Sequence, residues 1–182
     1  MGTLKTTNIQ TITGSGTLTL GTSGETLALG SGVTSNILYP AFLVKLSSNY
    51  NIATSTSTKL QYTTEVFDTD NTFDNSTNYR FTVPSGQAGK YFFYFQARAN
   101  NWGANRFVSW LQVNGSVDTA TAEAITASAS FPSIQSSVVL DLDVGDYIEH
   151  YVFHNQGGTQ PLQGSSTEHQ NFTYFGAYRI GT

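Results

Sequence analysis

The chain has 182 residues, a formal net charge of −4 and no cysteine, and 11% of its residues are charged. Without cysteine it cannot form disulfides, zinc–thiolate sites or a thiol nucleophile. Its few Lys and Arg residues are scattered along the sequence, which argues against nucleic acid as a partner. An aromatic content of 13% is not typical of a disordered chain, so we expect a folded domain.

Residues 1–35 differ in composition from the rest and are predicted to form an N-terminal arm. Two Thr/Leu units that end in Gly, residues 17–21 and 26–30, repeat at a spacing of nine residues. Alternation places four leucines on one face of narrow strands, namely Leu18, Leu20, Leu27 and Leu29. Such strands need an apolar partner, so we expect this Leu face to attach the protein to neighbouring arms or to another protein. A flexible Gly/Ser/Thr linker is the alternative.

From residue 36 onward, short alternating segments are separated by turn signals, which predicts an all-β domain over residues 36–182. The predicted strands cover residues 38–46, 59–67, 79–83, 90–99, 106–113, 137–142, 147–153 and 171–180. Asn114-Gly115 and Gly145-Asp146 are strong turn signals. Residues 119–130 are rich in Ala, but their Thr and Ser content favours a further strand and loop over a short helix. About eight antiparallel strands without a helical period indicate a two-sheet jelly-roll sandwich.

Five consecutive aromatic residues, from Tyr91 to Phe95, predict a β-strand. Successive side chains of a strand point to opposite faces. Tyr91, Phe93 and Phe95 therefore share one face, while Phe92 and Tyr94 share the other. Because a sandwich buries only one face of each sheet in its own core, the second aromatic face predicts association with another apolar surface, most simply a second copy of this chain.

Residues 1–5 contain no hydrophobic run, so the sequence predicts no signal peptide and no membrane insertion. If the protein ends up outside a cell, it does not use the usual secretory route. Release by lysis would then fit, as for a virus particle made in the host cytoplasm.

Several segments of the domain follow one another in a recognisable order. They are Val66-Phe67-Asp68-Thr69, Tyr79-Arg80-Phe81-Thr82-Val83-Pro84, Gly89-Lys90-Tyr91-Phe92-Phe93-Tyr94-Phe95, Leu111-Gln112-Val113-Asn114-Gly115, Val138-Val139-Leu140-Asp141-Leu142-Asp143-Val144-Gly145-Asp146 and Phe172-Thr173-Tyr174-Phe175-Gly176. This order, over residues 37–182, resembles that of the C1q-like domains of the C1q/TNF superfamily.

The resemblance implies a jelly roll that forms a compact homotrimer, with aromatic strand faces at the three-fold axis. We expect six aromatic residues at the trimer interface: Tyr91, Phe92, Tyr94, Phe172, Tyr174 and Tyr178. A Gly/Thr-rich arm joined to such a head also resembles bacteriophage virion proteins, namely fibres, tail tips and capsid decorations.

Three histidines and two glutamates could form a metal or acid/base cluster: His150, His154, His169, Glu149 and Glu168. His150 and His154 share a strand face at positions four apart, about 13 Å by the rise per residue, which is too far to chelate one ion together. We therefore expect structural or surface roles for these residues.

The densest carboxylate cluster contains Asp68, Asp70 and Asp74. Its spacing lacks the Gly and the distal Glu of an EF-hand loop. Turn residues that accept hydrogen bonds from their own backbone are therefore the main interpretation, and a calcium site is the alternative. No other cofactor is expected.

Trp102 lies in a polar loop that contains Gly103 and ends near Arg106. Such a tryptophan could stack on a sugar ring or anchor a protein contact, with Arg106 as a second ligand contact. The alternative is that Trp102 folds back onto the domain. Trp110 lies in an alternating strand, for which a core or interface position is expected.

These patterns favour a non-enzymatic bacteriophage virion protein, a fibre, tail or capsid-decoration component whose homotrimeric head is attached by its arm to other capsid or tail proteins. The alternative is a tip module that binds a host surface protein or glycan through loops such as that around Trp102. The sequence contains no Gly-x-Ser-x-Gly nucleophile elbow, and none of its features requires an enzyme.

Overall fold

The computed structural model describes residues 40–103, 105–125 and 131–181. These residues belong to the unit Asn36–Thr182, which is distinct from the unit Met1–Ser35. Leu18, Leu20, Leu27 and Leu29 lie outside the described residues, so their role in attachment stays a prediction.

The described part of the chain contains β-strands and no helix, and hence no helix long and apolar enough to cross a membrane. The strands are β1 (Ala41–Lys45), β2 (Tyr50–Ile52), β3 (Thr58–Lys59), β4 (Thr64–Asp68), β5 (Phe73–Asp74), β6 (Arg80–Thr82), β7 (Gly89–Arg98), β8 (Arg106–Val113), β9 (Val117–Ile125), β10 (Ser133–Leu142), β11 (Tyr147–His154), β12 (Gln160–Leu162) and β13 (Tyr174–Gly181).

The strands form two main antiparallel sheets. The first sheet has the order β10-β7-β13-β1-β4. The second has the order β5-β6-β11-β8-β9, with β3 paired to β11, while β12 and β2 form a small separate pair. This topology confirms the predicted all-β jelly-roll sandwich.

Strand β7 lies inside the first sheet and has the predicted alternation. Tyr91, Phe93 and Phe95 are at most 1% exposed and belong to the core, whereas Phe92 and Tyr94 are half-buried on the opposite face. The strand pairs with β10 over ten residues, from Gly89 to Arg98, and with β13 on its other side. It is therefore fixed from both edges and presents its two faces in different directions.

The core between the sheets is mainly aromatic. Phe93 of the first sheet contacts Phe81 of the second, with ring centroids 5.5 Å apart, and Phe81 also stacks on Phe42 at 5.3 Å. Phe175 lies 5.1 Å from Phe42 in an edge-to-face arrangement. Such offset and edge contacts are the favoured geometries of aromatic pairs, and the contacts of Phe81 with Phe93 and Phe42 connect the two sheets directly.

The prediction of one strand over residues 59–67 is wrong. The chain leaves the second sheet after β3 and enters the first sheet at β4, and Leu60 and Tyr62, which lie between these strands, are buried. Leu60 and Tyr62 face the core during this crossing, so the alternation of apolar residues in the sequence continues without a break. The prediction also missed β2, β5 and β12, which are two or three residues long and too short for a periodic signal.

The two predicted turns are present. Asn114 and Gly115 have φ values of 53° and 69°, the left-handed pair that a tight hairpin turn requires, and they join β8 to β9. Gly145 has a φ of 89°, and the amide of Asp146 donates to the carbonyl of Asp143. The strand β9 confirms the predicted strand after residue 119, although residues 126–130 lie outside the described residues.

Candidate interaction face

The outer face of the first sheet carries large apolar and aromatic side chains. Register places them on one side of the sheet, because Val139 pairs with Phe92, Phe92 with Tyr178, and Leu43 with Phe67. We call this surface the aromatic face; its residues are Leu43, Phe67, Phe92, Tyr94, Val139, Tyr174 and Tyr178. Phe67, Val139 and Tyr178 are 43–50% exposed, so the described residues leave much of the face open.

The aromatic rings of this face contact one another. Phe92 lies 5.4 Å from Tyr178 and 6.2 Å from Tyr94, and Tyr94 lies 6.2 Å from Tyr174. A shallow groove of about 480 Å³ runs beside them and is also lined by Gln135 and Ser137. The face is therefore a continuous patch rather than a set of isolated rings.

Gly176 determines how Tyr94 lies on the sheet. Its partner across the β7–β13 ladder is Tyr94, and a Cβ atom at position 176 would lie 2.6 Å from Cζ and Oη of that tyrosine. The Tyr94 ring thus lies directly over Gly176, and it fits there because glycine has no side chain.

Among the residues that the structure describes, no charged group lies at the centre of the aromatic face. Lys45 borders it, but this side chain is buried and its Nζ donates to the carbonyl of Thr167 at 2.9 Å. Lys90 and Asp141 form an exposed pair at another border, with 3.8 Å between Nζ and Oδ2. Burial raises the pKa of the hydroxyls of Tyr94 and Tyr174, so both stay neutral.

Two of the six predicted interface residues, Tyr91 and Phe172, are not part of the aromatic face. Tyr91 is fully buried in the sandwich core, where its hydroxyl donates to the carbonyl of Gln87 at 2.6 Å, so its side chain is not available to another subunit. That part of the prediction is wrong, because Tyr91 lies on the core side of the strand alternation. Phe172 is half-buried just before β13, with the Arg98 guanidinium 4.8 Å from its ring. Phe92, Tyr94, Tyr174 and Tyr178 do lie together on one face.

Residues that the sequence analysis did not assign complete the aromatic face. Val139 and Leu43 are in strands that were correctly expected, but the choice of outward residue follows from register, which the sequence does not state. Phe67 belongs to the edge strand β4. The prediction of a single strand over residues 59–67 did not separate β4 from β3, so it did not place Phe67 in the first sheet.

The predicted ligand contact at Trp102 is not supported by its position. Trp102 is 3% exposed, its indole N–H donates to the carbonyl of Pro161 at 2.7 Å, and its ring packs on Phe107 and His154. Trp102 therefore folds back onto the domain. Arg106 remains exposed and forms a bidentate pair with Glu123 at 2.6 and 3.0 Å.

His150 is enclosed in the core rather than available for catalysis. Its Nδ1 lies 2.7 Å from the Tyr62 hydroxyl and its Nε2 lies 2.6 Å from Ser109 Oγ. All three side chains are at most 1% exposed, so no substrate can reach the Ser109–His150 pair in this arrangement. Burial lowers the pKa of His150 to about 3, which keeps the imidazole neutral.

The other residues of the predicted histidine cluster are separate from His150. His154 is buried, with Nε2 3.1 Å from the carbonyl of Ile52, and burial lowers its pKa. Glu149 pairs with Lys59 at 2.9 Å, whereas His169 and Glu168 are exposed and 3.6 Å apart. No group of three His, Asp or Glu residues among the described residues converges as a metal site would require.

Asp68 and Asp74 organise their own turns. Asp68 accepts from the amide of Phe73 at 2.7 Å and from the Thr72 hydroxyl. Asp74 accepts from the amides of Thr77 and Ser76 at 2.8 and 3.0 Å, and these backbone donors, together with the amide of Asn78, hold its pKa well below the ordinary value of an aspartate. Asp70 is exposed. Asp68 and Asp74 thus have the backbone partners expected of turn residues, and calcium binding stays the untested alternative.

No protein-family model matches this chain, and no curated protein sequence matches it. Solved structures do: mouse APRIL at pH 5.0 (TM-score 0.58, 15% identity, 78% of this chain and 98% of that one) and the globular domain of zebrafish complement 1qA (TM-score 0.55, 17% identity, 78% and 98%). Eiger TNF from S. frugiperda also matches, with a TM-score of 0.52 and 12% identity over 79% and 94% of the two chains. At these identities the similarity shows the fold, which is the jelly roll of TNF and C1q domains.

Proposed function

We propose that residues 36–182 form the homotrimeric head of a non-enzymatic structural protein, in which the aromatic face is the contact between subunits. The observation that carries this proposal is the continuous, uncharged patch around Phe92, Tyr94, Tyr174 and Tyr178. Monomeric soluble proteins rarely leave a large contiguous apolar patch open, and such patches mark association surfaces. The C1q/TNF-like fold supports a three-fold arrangement in particular.

We further propose that the trimer is a bacteriophage virion component, a fibre, tail or capsid-decoration protein, and that residues 1–35 attach it to the particle. The Thr/Leu repeats of the arm and the high content of uncharged polar residues support this role. The sequence-based alternative, a receptor- or glycan-binding tip around Trp102, loses its main argument because that side chain is buried.

The first test is the oligomeric state of the full chain. Light scattering coupled to size exclusion should give three times the chain mass at micromolar concentration. A stable trimer should also bury well over about 1,000 Å² at its subunit contacts. A monomer under these conditions would contradict the trimeric head.

The second test concerns the particle. Phage particles whose own copy of this gene is removed should take up the purified full chain, and electron microscopy should locate it at a fixed position. A protein lacking residues 1–35 should stay folded and trimeric but fail to attach. Normal occupancy by the shortened protein would show that attachment lies in the head.

A further inference from the structure

The outer face of the second sheet also carries aromatic residues, at a position remote from the aromatic face. Trp110 of β8 and Tyr151 of β11 are register partners, and their rings stack with centroids 5.7 Å apart. Phe153 lies two residues further along β11, on the same side, and pairs with Val108. Charged or polar side chains would be expected at such positions if the surface only faced water.

Six residues of this surface enclose a groove of about 360 Å³, which we call the outer groove: Ser57, Arg106, Val108, Trp110, Thr121 and Phe153. This volume is at the lower end of the roughly 300–1,000 Å³ found for small-molecule sites. Val108 and Trp110 are buried and form an apolar floor. The exposed Ser57, Arg106 and Thr121 form a polar rim.

The rim of the outer groove has hydrogen-bonding groups but little net charge. Arg106 is held by both carboxylate oxygens of Glu123, and its guanidinium lies 5.5 Å from the Phe153 ring. Because Glu123 neutralises Arg106, a phosphate, a sulfate or an acidic sugar gains little from this arginine. A neutral ligand with many hydroxyls can instead accept from the guanidinium and donate to the carboxylate.

The indole N–H of Trp110 is buried and has no acceptor among the described residues. Unpaired buried donors are rare because they are unfavourable. Hydrogen bonding within the fold therefore does not account for a tryptophan at position 110. Its large ring accounts for it, because the ring forms part of the groove floor and stacks on Tyr151.

The backbone around the outer groove is already used. Strand β8 pairs with β11 on one side and with β9 on the other, so a peptide cannot add there as a further strand. β9, which contributes Thr121, is the edge strand of its sheet, but a strand added to that edge would lie beside the groove and not in it. Recognition within the groove therefore comes from side chains, which favours a small ligand over an extended peptide.

We infer that the outer groove binds a neutral pyranose sugar. A pyranose ring has an apolar C–H face that matches Val108, Trp110 and the edge of Phe153, and equatorial hydroxyls that match Arg106, Glu123 and the rim hydroxyls. Aromatic side chains with one apolar and one polar environment are suited to such mixed surfaces. The ligand class is thus a hexose or N-acetylhexosamine at the end of a neutral glycan.

The proposed trimer leaves this site accessible. The two sheets of a sandwich pack through their inner faces, so their outer faces point in opposite directions, and covering the aromatic face leaves the outer groove open. A trimer would present three grooves, and binding to a surface that carries many copies of a glycan would gain from avidity. The inference itself does not depend on the trimer, because each groove is formed within one chain.

The test uses the full chain on an immobilised panel of neutral oligosaccharides ending in glucose, galactose, mannose or N-acetylglucosamine, with sialylated and sulfated glycans beside them. We expect binding to at least one neutral glycan. Phe153→Ala should weaken it about tenfold or more. Phe131→Ala is the matched control, because Phe131 is also partly exposed and also lies near an arginine, with Arg98 5.4 Å from its ring, but outside the groove.

A second variant protects the test against misfolding. Thr121→Trp should fill the outer groove from an exposed rim position and abolish binding without removing a buried side chain, and circular dichroism melting should show that the head stays folded. Loss of binding with Phe153→Ala and Thr121→Trp but not with Phe131→Ala supports the site. The inference is overturned if no neutral glycan binds, if only charged glycans bind, if Phe131→Ala weakens binding equally, or if Thr121→Trp has no effect.

Discussion

The two outer faces of the sandwich have different chemistry. The first sheet presents the aromatic face, whose rings contact one another and whose centre has no charge. The second sheet presents the ion pairs Lys59–Glu149 and Arg106–Glu123 beside its aromatic residues, and the Arg80 guanidinium lies 4.0 Å from the Tyr147 ring. Hydrophobicity alone does not separate these faces, since both carry aromatic rings. The difference is the presence of charge, and for this reason we propose a lasting protein contact for the first face and a small ligand for the second.

A charge placed on the aromatic face should have the largest effect on the difference between the two faces. Tyr94→Glu would bury an unpaired carboxylate at the proposed subunit contact, where the loss of hydration has no compensation. We expect dissociation to monomers, seen by light scattering as a threefold fall in mass. Thr121→Glu places the same side chain on the second sheet and should remain trimeric. If the Tyr94→Glu protein is still a trimer, the aromatic face is not the contact between subunits.

The two sides of β7 provide the next test. Phe93→Ala removes a fully buried ring from the core and should lower the free energy of unfolding by about 3–5 kcal/mol, at every protein concentration. Phe92→Ala should act mainly through association, so its effect on urea unfolding should depend on protein concentration. Equal, concentration-independent losses in the two variants would show that both rings serve the fold alone. If Phe93→Ala does not fold, Phe93→Leu is the milder substitute.

Acid should weaken the head through His150. Its pKa is about 3 when folded and near 6.5 when unfolded, so between these values the unfolded chain binds a proton that the folded chain does not. The contribution of His150 to the free energy of unfolding is therefore fully present above pH 6.5. It is lost as the pH falls towards 3, by up to about 1.4 kcal/mol per pH unit. Urea unfolding between pH 7.5 and 5 measures this slope before most carboxylates titrate.

His150→Gln is the control for this slope. The variant should be less stable at pH 7.5, because Tyr62 and Ser109 lose their shared partner, but its stability should depend less on pH. His154 is present in both proteins, so the difference between the two slopes belongs to His150. An unchanged slope would show that the acid response arises elsewhere.

The smallest expected effects concern the ion pairs of the second sheet. Lys59→Met leaves Glu149, whose side chain is 7% exposed, without its cation and should cost about 1–3 kcal/mol, less than for a fully buried pair because Lys59 is partly hydrated. Glu123→Gln breaks an exposed pair and should change the unfolding midpoint little. A comparable effect from both would mean that burial does not distinguish these pairs.

The sequence predicts the fold well where its signals are local. The alternation around Tyr91–Phe95 identifies β7 and its two faces, and Asn114-Gly115 identifies a hairpin. The crossing between β3 and β4 could not be predicted, because Leu60 and Tyr62 keep the same inward alternation whether or not the backbone changes sheet. Such information lies in long-range pairing, which a single sequence does not contain.

The same limit applies to the candidate sites. Alternation alone places Phe92 and Tyr94 on the outer face of β7, but Tyr91 was expected at the interface with them although it lies on the core side, because both faces of β7 are aromatic. Trp102 was ambiguous in a polar loop, since nothing local indicates the acceptor at Pro161 that draws it inward. The outer groove combines residues from β8, β9, β11 and the turn at Ser57, which are adjacent only after the sheet has formed.

Tyr94 and Gly176 share one space, because the tyrosine ring occupies the volume that a side chain at position 176 would need. Any side chain at position 176 would occupy the space of the tyrosine ring, so a substitution tolerated at one position depends on what stands at the other. A Cβ atom at position 176 would also lie 2.9 Å from the carbonyl oxygen of Phe42, so homologous chains should keep glycine at 176 wherever residue 94 is aromatic, and a larger residue at 176 requires both a small residue 94 and a shift of β1. A residue with no side chain would in this way constrain the evolution of a surface that it does not itself form.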